Sequence, residues 1–398
     1  MTDVLIIGGG AAGLAAAITA AREGTSVTLL EKLDRVGKKI LSTGNGRCNI
    51  MNAGEPRYHG GVCFAQQVLR LCPPATLTDF FSSLGLVLRE EDEGRVYPVT
   101  GQAASVLDVL RAGCETAGVN TVAGEKAVKI KREKDGFAVL TESGNLYSAR
   151  KVIVTGGGMA APKLGSDGSC YPLLTSFGHK LVSPRPALTQ VRTDTVPIKG
   201  LQGQRVQATV TVSRDGKELG RETGEVLFTA YGVSGVCVMQ LSRLCGPRTV
   251  VSLNLVPEGC DLRAELEKRV EIFENLPMEQ LFCGLFARLV GMAVLKMAKV
   301  PFAGRVCGEL NTRELAALCR AAESFTLPVQ GVNGFDQAQV TAGGIDTIDF
   351  DPESCASRLC PGLYACGEVL DVDGDCGGFN LMFAFACGIL AGRNAARC

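Results

Sequence analysis

The chain has 398 residues, of which 46% are hydrophobic, and it carries 41 basic and 41 acidic side chains. This length exceeds that of one typical domain and predicts two or three domains with ample apolar material for their cores. The balanced charge gives no electrostatic reason to expect a nucleic acid or an anionic membrane as partner, and it favours a small-molecule substrate.

Signals for export, membrane insertion and metal binding are weak. The apolar N-terminus is predicted to be the first strand of the fold rather than a signal peptide, and no run is expected to reach the about 18 apolar residues that span a bilayer. The 17 cysteines are scattered, form no CxxC pair and accompany only two histidines. The sequence therefore predicts a cytoplasmic protein with reduced thiols, no metal site and no integral membrane association.

The first predicted elements are a strand, a glycine-rich turn and a helix. Val4–Ile7 has the composition of a buried parallel strand, and an alanine-rich helix is predicted over Leu14–Glu23. In a dinucleotide-binding turn, Gly8 permits the tight turn, Gly10 lets the backbone approach a pyrophosphate, and Gly13 lets helix and strand pack closely. The helix N-terminus adds N–H groups and partial positive charge for the phosphates.

An acidic residue closes the next predicted strand, Ser26–Leu30. Glu31 follows Gly13 by eighteen residues, where a carboxylate can accept hydrogen bonds from both ribose hydroxyls and disfavours a 2′-phosphate. Because strand, helix and acid all occur at the required positions, the motif is stronger than the glycines alone. The choice between FAD and NAD is open at this point.

The segment Gly37–Asn49 is predicted to be a loop that follows the cofactor across the sheet edge. It has no hydrophobic period and is rich in glycine, asparagine and basic residues. Its backbone and cations are candidates for contacts with pyrophosphate and a flavin ring, with a solvated basic turn as the alternative. It holds one cysteine, Cys48, and the pair Cys355 and Cys360 lies elsewhere, so no dithiol relay is expected.

Between residues 73 and 155 the predicted helices give way to strands. Apolar residues three and four apart predict helical segments on either side of an extended loop, at Leu77–Phe81 and Ala103–Leu110 around Arg95–Thr100. Alternating runs separated by turn residues predict a three-stranded antiparallel meander and then a separate buried strand, at Ala127–Lys131, Gly136–Thr141, Leu146–Ala149 and Lys151–Thr155.

A second glycine run, Gly156–Gly158, follows that buried strand. One interpretation is a second dinucleotide turn belonging to a separate nicotinamide domain. Pro162 stands where the helix of such a domain should run, and the next residues have turn composition. We therefore favour a return of the same sheet to the first cofactor.

The middle of the chain has the texture of inserted domains. Alternating strands such as Arg205–Val212 predict a β domain between Pro184 and about Pro257. Helical patterns follow over Asp261–Leu318, including the apolar stretch Leu281–Met297. A buried helical subdomain is the favoured interpretation, and a membrane-associated or substrate-covering helix is the alternative.

The C-terminal part repeats the features of a cofactor site. Gly362–Glu368 is predicted to be a short apolar strand whose terminal carboxylate lies against a ribityl chain. Gly377–Gly378 opens an apolar helix over Leu381–Ala391, whose N–H groups would stabilise negative charge on a reduced flavin. The acidic run Asp371–Asp375 resembles a calcium loop, but Met382 stands where the twelfth-position glutamate is required.

These motifs together resemble, across nearly the full length, the flavoproteins called aminoacetone-oxidase-like or NAD(P)/FAD-dependent oxidoreductases, a group that includes a bacterial dehydro-bile-acid reductase. The segments that carry the resemblance are Gly8–Gly13 with Glu31, Gly44–Asn49, Val340–Gly344, Gly367–Gly374 and Gly377–Asn380. The resemblance implies an α/β fold with a Rossmann-like FAD-binding domain of the glutathione-reductase/fumarate-reductase type. That domain comprises residues 1–184 and 338–398, with an inserted β domain (185–258 and 322–337) and a helical subdomain (259–321).

The resemblance also implies which residues contact FAD. They are Gly8, Gly10, Ala11, Ala12, Gly13, Glu31, Lys32, Lys39, Gly44, Gly46, Arg47, Cys48, Asn49, Val128, Thr155, Gly156, Gly157, Gly367, Glu368, Asp371, Gly378, Phe379, Asn380 and Leu381. No catalytic residue is identified by sequence. Arg47, Tyr97 and Tyr231 are candidates for polarising a substrate carbonyl or donating a proton.

The function implied is hydride transfer from NADH or NADPH through flavin N5 to an activated C=C bond. A large apolar insert suits an apolar substrate such as a steroid or bile-acid enone. Two alternatives are an amine or aminoketone oxidase that uses O₂ and a non-catalytic flavin-binding protein acting in redox sensing or RNA modification.

Overall fold

The computed structural model describes residues 1–397, which form two compact units. Unit 1 comprises Met1–Pro186 and the C-terminal part from Phe335, and unit 2 comprises Ala187–Gly334. Each unit has its own hydrophobic core. The sequence-based boundaries at residues 184 and 338 lie within three residues of this division.

Strands and helices are numbered in chain order. The strands are β1 Thr2–Ile7, β2 Val27–Glu31, β3 Met51–Asn52, β4 Tyr58–Gly60, β5 Leu88–Glu90, β6 Arg95–Pro98, β7 Asn120–Ala123, β8 Ala127–Glu133, β9 Gly136–Thr141, β10 Leu146–Val154, β11 Leu181–Ala187, β12 Val191–Thr193, β13 Arg205–Arg214, β14 Lys217–Thr229, β15 Gly232–Ser234, β16 Thr249–Asn254, β17 Phe325–Val332, β18 Val340–Ile345, β19 Leu363–Ala365 and β20 Val372–Gly374. The helices are α1 Ala11–Arg22, α2 Val62–Leu71, α3 Pro74–Ser83, α4 Ala103–Thr116, α5 Tyr171–Thr175, α6 Val236–Leu241, α7 Leu262–Ile272, α8 Arg288–Met297, α9 Thr312–Glu323 and α10 Phe379–Ala396.

The main sheet of unit 1 has the strand order β7-β2-β1-β10-β9-β8, and β19 pairs with β10. Strands β7, β2, β1, β10 and β19 run parallel, whereas β8 and β9 are antiparallel additions. Strands β1, β2 and β19 and the C-terminal end of β10 are buried on both faces, which explains their continuous apolar composition, whereas the edge strand β7 is largely exposed. Their C-terminal ends meet at one edge of the sheet, which is the usual ligand-binding edge of such folds.

Strand β10 corrects the sequence-based prediction of two separate strands. It is continuous from Leu146 to Val154: its first half pairs with β9 in antiparallel fashion, and its second half pairs with β19 in parallel. The basic pair at positions 150 and 151 suggested a break. Both side chains are accommodated at the point where one neighbouring strand replaces the other, so the backbone remains extended.

Helices α1 and α10 cross at unusually close range in the core of unit 1. A Cβ atom at Gly388 would overlap the carbonyl oxygen of Ala12, and one at Gly392 would overlap that of Ala16. Among residues 1–397, α10 is also the one helix long and apolar enough to cross a membrane, a window that the sequence analysis missed. In the fold, 72% of that window is buried, so its apolar surface is used in the core.

Unit 2 contains a closed barrel of six strands in the order β12-β15-β14-β13-β16-β17, with α7, α8 and α9 sharing its hydrophobic core. The helices are thus part of the same compact unit. The predicted apolar helix Leu281–Met297 is shorter than expected, because only Arg288–Met297 is helical. Gly284, with φ +79°, lies in a turn that stacks the rings of Phe282 and Phe286 at 5.2 Å.

Two segments of unit 1 are more regular than their sequences predicted. Residues expected to form an extended loop contain strand β6, which pairs with β3 and β5. The loop Gly37–Asn49 contains a 3-10 turn over Ile40–Gly46, with left-handed backbone at Gly44 and Asn45. Glycine and asparagine both tolerate that conformation, which is why this composition does not distinguish an ordered turn from an open loop.

Candidate functional site

A deep cleft of unit 1 lies at the C-terminal edge of the parallel strands. It holds about 1230 Å³ of empty space, including its open mouth. Its wall includes most of the residues that the sequence motifs singled out, namely Gly8, Gly10, Ala11, Ala12, Glu31, Lys32, Lys39, Thr155, Gly156, Gly157, Gly367, Glu368, Asn380 and Leu381. Both ends of the chain therefore contribute to one concave site.

The glycines of the first turn fill different structural roles. Gly8 has φ +110°, and a Cβ there would contact the Thr155 carbonyl at 2.8 Å. A Cβ at Gly13 would overlap the Gly8 carbonyl, so helix α1 packs directly on the turn. At Gly10 the backbone is extended, and a Cβ would meet nothing within 4 Å. Gly10 is thus not required by packing, and the space beside it belongs to the cleft.

Glu31 is a buried carboxylate at the end of β2. Its Oε2 accepts a hydrogen bond from Gly9 N–H at 2.8 Å, and its Oε1 accepts one from Leu33 N–H at 2.8 Å. These two bonds fix the side chain beside the glycine turn and leave further acceptor capacity on both oxygens. The carboxylate is therefore oriented before any ligand binds.

A second carboxylate, Glu368, is held on the wall farther along the cleft. Its Oε2 lies 2.7 Å from Lys39 Nζ, and its Oε1 accepts a hydrogen bond from Thr341 N–H at 2.8 Å. Thr341 Oγ1 in turn accepts bonds from the backbone N–H groups of Met159 and Ala160 at 2.8 and 3.0 Å. This network joins strands β2, β10, β18 and β19 through loops that all reach the cleft.

The N-terminus of α10 closes the other end of the wall. Gly378, with φ +104°, is the N-cap, and Met382 N–H is the first to bond back to it. The N–H groups of the first turn thus have no partner within the helix, and they carry the positive end of its dipole. Asn380 stabilises the preceding turn through two hydrogen bonds of 2.8 Å. Its Oδ1 accepts from Gly374 N–H, and its Nδ2 donates to the Gly374 carbonyl.

This combination of residues fits a dinucleotide cofactor. The cleft has an open space beside Gly10, the N-terminus of α1 behind it, a fixed carboxylate at Glu31 and several lysines on its walls. Such a set matches a pyrophosphate and a ribose. If the adenosine ribose of such a cofactor binds Glu31, the N-terminus of α10 is a candidate for binding its other ring system.

Several predicted site residues lie off the cleft wall. Gly13, Gly44, Gly46, Arg47, Cys48, Asn49, Asp371, Gly378 and Phe379 are absent from the lining. Arg47 instead pairs with Glu91 at 2.7 Å and stacks over the ring of Tyr97 at 4.1 Å. Burial raises the pKa of the Cys48 thiol to about 12, which indicates an inert core residue.

Val128 also lies outside the lining. Its side chain is 41% exposed, whereas its neighbour Ala127 lines the cleft. Alternate residues of a strand point to opposite faces, so the side chain of Val128 points away from the cleft. The pairing of β8 with β9 is irregular between Ala127 and Lys129, a feature that the sequence pattern did not reveal.

The other proposed side chains also have defined positions. Asp371 is partly buried next to Asp373, and burial with that neighbouring charge raises its carboxyl pKa. Asn49 lies behind the start of α10, where its Oδ1 is buried without a hydrogen-bond partner in residues 1–397. Tyr97 is buried, and burial raises its pKa. Tyr231 belongs to unit 2 and is 37% exposed.

Other wall residues were missed by the sequence reasoning. They include Leu33, Arg35, Glu125, Lys126, Leu164, Gly165, Ser166, Ser169, Gln339 and Val340. Most lie in loops next to a recognised motif. The wall residues around Ser166 could have been predicted from the turn composition after Pro162. That composition indicates a loop after a parallel strand, and loops at the C-terminal ends of parallel strands form the binding edge.

The second glycine run belongs to the same sheet as the first. It follows β10, which pairs directly with β1, and a Cβ at Gly156 would overlap the Cys170 sulfur. Gly156 and Gly157 line the same cleft as Gly10. The interpretation as a return to the first cofactor site thus agrees with the fold. In the part of the chain from residue 1 to 397, no group of three metal-ligating side chains occurs.

Comparisons with known proteins agree with this architecture. A family model described as HI0933-like protein Rossmann domain matches residues 2–394. The chain is 37% identical to the 3-dehydro-bile acid delta(4,6)-reductase of Clostridium scindens (strain ATCC 35704), over 100% of this chain and 99% of that protein. It is 28% identical to the ribosomal RNA dihydrouridine synthase of Escherichia coli (strain K12), over 96% of this chain and 95% of that protein.

Similarity to solved structures supports the fold. The open conformation of a flavocytochrome c3 fumarate reductase aligns with a TM-score of 0.52 and 17% identity, covering 100% of this chain and 78% of that one. At that identity the likeness concerns architecture alone, and it agrees with the α/β, Rossmann-like fold of the fumarate-reductase type. From the family match and the full-length relative, the chain belongs to the HI0933-like family of Rossmann flavoproteins and is an FAD-dependent oxidoreductase.

Proposed function

We propose that this protein reduces a C=C bond conjugated to a carbonyl, in a small apolar substrate such as a steroid or bile-acid enone, with NADH or NADPH as electron donor. The observation that carries the proposal is the 37% identity to a 3-dehydro-bile acid reductase along the full length of both proteins. A relationship that includes both units favours a similar kind of substrate as well as the same cofactor.

FAD would lie along the cleft, with its adenosine ribose at Glu31 and its isoalloxazine ring near the start of α10. When bound there, FAD would supply the redox chemistry, as the carrier of a hydride from the nicotinamide to the polarised double bond. The chain itself would orient the ribose with the Glu31 carboxylate. The N–H groups of α10 would favour the negative charge that develops on the pyrimidine edge.

The pair formed by Lys39 and Glu368 would hold the middle of the cofactor. Lys39 carries a positive charge on the cleft wall, and its bond to Glu368 limits the motion of both side chains. A cation there suits the pyrophosphate, and a carboxylate that already accepts from Thr341 N–H has lone pairs left for ribityl hydroxyls. Both residues are thus assigned to binding and orientation.

A second candidate function is reduction of uridine in ribosomal RNA, because the chain also aligns along 96% of its length with a ribosomal RNA dihydrouridine synthase. The chemistry is related, since the uracil double bond reduced in dihydrouridine is also conjugated to a carbonyl. The charge favours the small molecule: 41 basic and 41 acidic side chains provide no excess to neutralise RNA phosphates. Basic and acidic residues are also nearly equal in number within unit 2.

The first experiment is an anaerobic titration of the purified flavoprotein with NADH and then NADPH. We expect either donor to bleach the flavin absorbance near about 450 nm. Addition of a 3-oxo-4,6-diene bile acid should restore that absorbance, and the product should gain two hydrogens by mass spectrometry. Fully reduced bile acids, which lack the double bond, are the matched control and should leave the flavin bleached.

Other outcomes would separate the alternatives. Absence of bleaching by both nucleotides would exclude NAD(P)H as donor. Bleaching followed by reoxidation with unmodified ribosomal RNA, but not with enones, would support the uridine reductase. Release of peroxide with an amine in air would support an oxidase. A flavin that no donor reduces would indicate a binding role.

A further inference from the structure

The loop Gly156–Cys170, between β10 and α5, is firmly attached at its base. Met159 and Ala160 N–H donate to Thr341 Oγ1, and Ala161 N–H donates to the Phe335 carbonyl at 2.9 Å. The two limbs of the loop are joined by a bond from Gly168 N–H to the Gly158 carbonyl at 2.9 Å. The tip between these limbs therefore extends from a fixed base.

The tip contacts the segment that follows β2. Lys32 Nζ, one residue beyond β2, lies 2.5 Å from Asp167 Oδ1 and 3.1 Å from Ser169 Oγ. A Cβ at Gly165 would lie 3.1 Å from the Leu33 side chain, so the backbone there packs closely on that residue. Both contacting segments line the cofactor cleft, through Lys32 and Leu33 in one and Gly165 and Ser169 in the other, whereas Asp167 lies behind its lining.

These contacts form a bridge between two segments of the cleft lining, immediately after Glu31, the carboxylate assigned to the adenosine ribose. The bridge is polar and partly accessible, with Lys32 18% and Asp167 39% exposed. The backbone at Ala161 and Gly165 is left-handed on both sides of the short 3-10 turn Pro162–Leu164. The tip is thus attached to the segment after β2 mainly through side chains, whereas its base is held by backbone bonds.

We propose that the Lys32–Asp167 ion pair is a latch that closes the loop tip Gly165–Ser169 over the adenosine end of FAD and sets the rate at which FAD leaves. A dinucleotide lying beneath the bridge cannot withdraw its adenosine end until the pair separates. Lys32 and Asp167 are therefore positioning residues, which retain the cofactor without contacting the reacting atoms. The proposal rests on the assignment of this cleft to FAD and is independent of the substrate.

The latch is expected to remain ionised at neutral pH. Burial opposes ionisation of Asp167, but hydrogen bonds from Lys32 and Ser169 outweigh it, so the pKa of this carboxyl lies below its ordinary value of 3.8. The attraction between Lys32 and Asp167 is therefore present above that pH. Since the pair is partly exposed, added salt should weaken it.

The test measures FAD release from the holoprotein by timed gel filtration with detection of flavin absorbance. Asp167→Asn and Lys32→Met should each release FAD about two to five times faster than the unmodified protein, as expected for loss of a partly exposed ion pair. The double variant should be no faster than the faster single variant, because both substitutions remove the same contact. Raising the salt concentration should speed release from the unmodified protein more than from either variant.

A matched control is available in unit 2, none of whose residues lines the cleft. Arg269 Nε lies 2.9 Å from Glu265 Oε1, and the two side chains are 12% and 31% exposed, much like Lys32 and Asp167. Glu265→Gln removes a comparable ion pair that is not part of the cofactor cleft. It should leave FAD release unchanged within about twofold.

The outcomes separate the latch from the cofactor site. If Glu31→Gln accelerates FAD release but Asp167→Asn does not, the latch is wrong and the cofactor site stands. If the effects of Lys32→Met and Asp167→Asn multiply in the double variant, Lys32 acts on FAD directly and the latch is also wrong. If the purified protein binds no FAD, the assignment of the cleft fails and the latch fails with it.

Discussion

At the scale of single residues, the glycines of the first turn are required for different reasons, some for packing of the fold and one for ligand binding. Gly13 is required by packing, since a side chain there would overlap the Gly8 carbonyl. Gly10 has an extended backbone that any residue adopts, and no atom of residues 1–397 lies within 4 Å of the position that its Cβ would take. Its lack of a side chain is explained by the ligand alone.

Gly10→Ala should therefore weaken FAD binding, and Gly13→Ala should lower the stability of the fold. We expect Gly10→Ala to keep the melting temperature of the cofactor-free protein while weakening FAD binding at least about tenfold, because its methyl group enters the cleft. Gly13→Ala should destabilise the fold itself by about 1–3 kcal/mol through overpacking. Thermal unfolding of the apoproteins and flavin titration distinguish the two. Equal loss of stability in both variants would contradict this division.

The same residues show what the sequence was able to predict. Gly8, Gly13 and Glu31 follow from a local pattern, because strand, turn and helix are adjacent in the chain. The outward direction of the Val128 side chain does not follow from such a pattern, because the irregular pairing of β8 depends on its partner strand. The bridge between Lys32 and Asp167 joins residues 135 positions apart, and no local pattern encodes such a contact.

At the scale of elements, the crossing of α1 and α10 supports the glycine turn. Helix α1 begins at that turn, and α10 packs against it where Gly388 and Gly392 face the carbonyls of Ala12 and Ala16. Small residues one turn apart allow this approach. The sequence predicted both helices from their composition, but their mutual contact depends on how the two ends of the chain meet.

Gly388→Ala should disturb both stability and cofactor binding. Its methyl group would overlap a backbone oxygen, which cannot move away as a flexible side chain can, so we expect a loss of about 1–3 kcal/mol in the free energy of unfolding. Ala12 lines the cleft, so FAD affinity should fall too. Urea unfolding and flavin titration measure the two effects.

The matched control is Gly113→Ala in α4. There the new methyl group would meet the end of the Leu84 side chain at 2.7 Å, which can shift, and alanine favours a helix over glycine by about 1 kcal/mol. This variant should be neutral or slightly stabilised. A similar loss in both variants would show that backbone overlap at the α1–α10 crossing is not the cause.

Strand β10 shows the limit of element prediction. Its apolar and alternating halves have different patterns because their neighbours differ: β9 lies beside the first half and β19 beside the second. A sequence pattern reports how buried each position is, so a change of burial along one strand looks like a break between two strands. The local pattern does not show that β19, about 200 residues later in the chain, is the neighbour of the second half.

At the scale of the whole molecule, all residues that line the cleft belong to unit 1, and unit 2 has a separate hydrophobic core. A ligand that binds only the folded cleft stabilises it by about 2.7 kcal/mol at a hundredfold excess over Kd. Addition of FAD should therefore protect unit 1 selectively against amide hydrogen exchange.

Exchange followed by mass spectrometry tests this expectation. Peptides from the first turn, the loop Gly156–Cys170 and the start of α10 should gain protection with FAD. Peptides from β13 and β14, in the barrel of unit 2, serve as the internal control and should remain unchanged. Equal protection in both sets would show that FAD stabilises the chain as one cooperative body.

The joining of α1 to α10 also has a consequence for biosynthesis. The ribosome makes α1 before α10, with all of unit 2 between them. At about 5–20 residues per second, roughly 20–70 seconds separate Gly13 from Gly367. During that interval the face of α1 that packs on α10 is uncovered, and exposed apolar surface of this kind favours binding by chaperones. FAD capture must then wait for the synthesis of α10, although the glycine turn leaves the ribosome well before it.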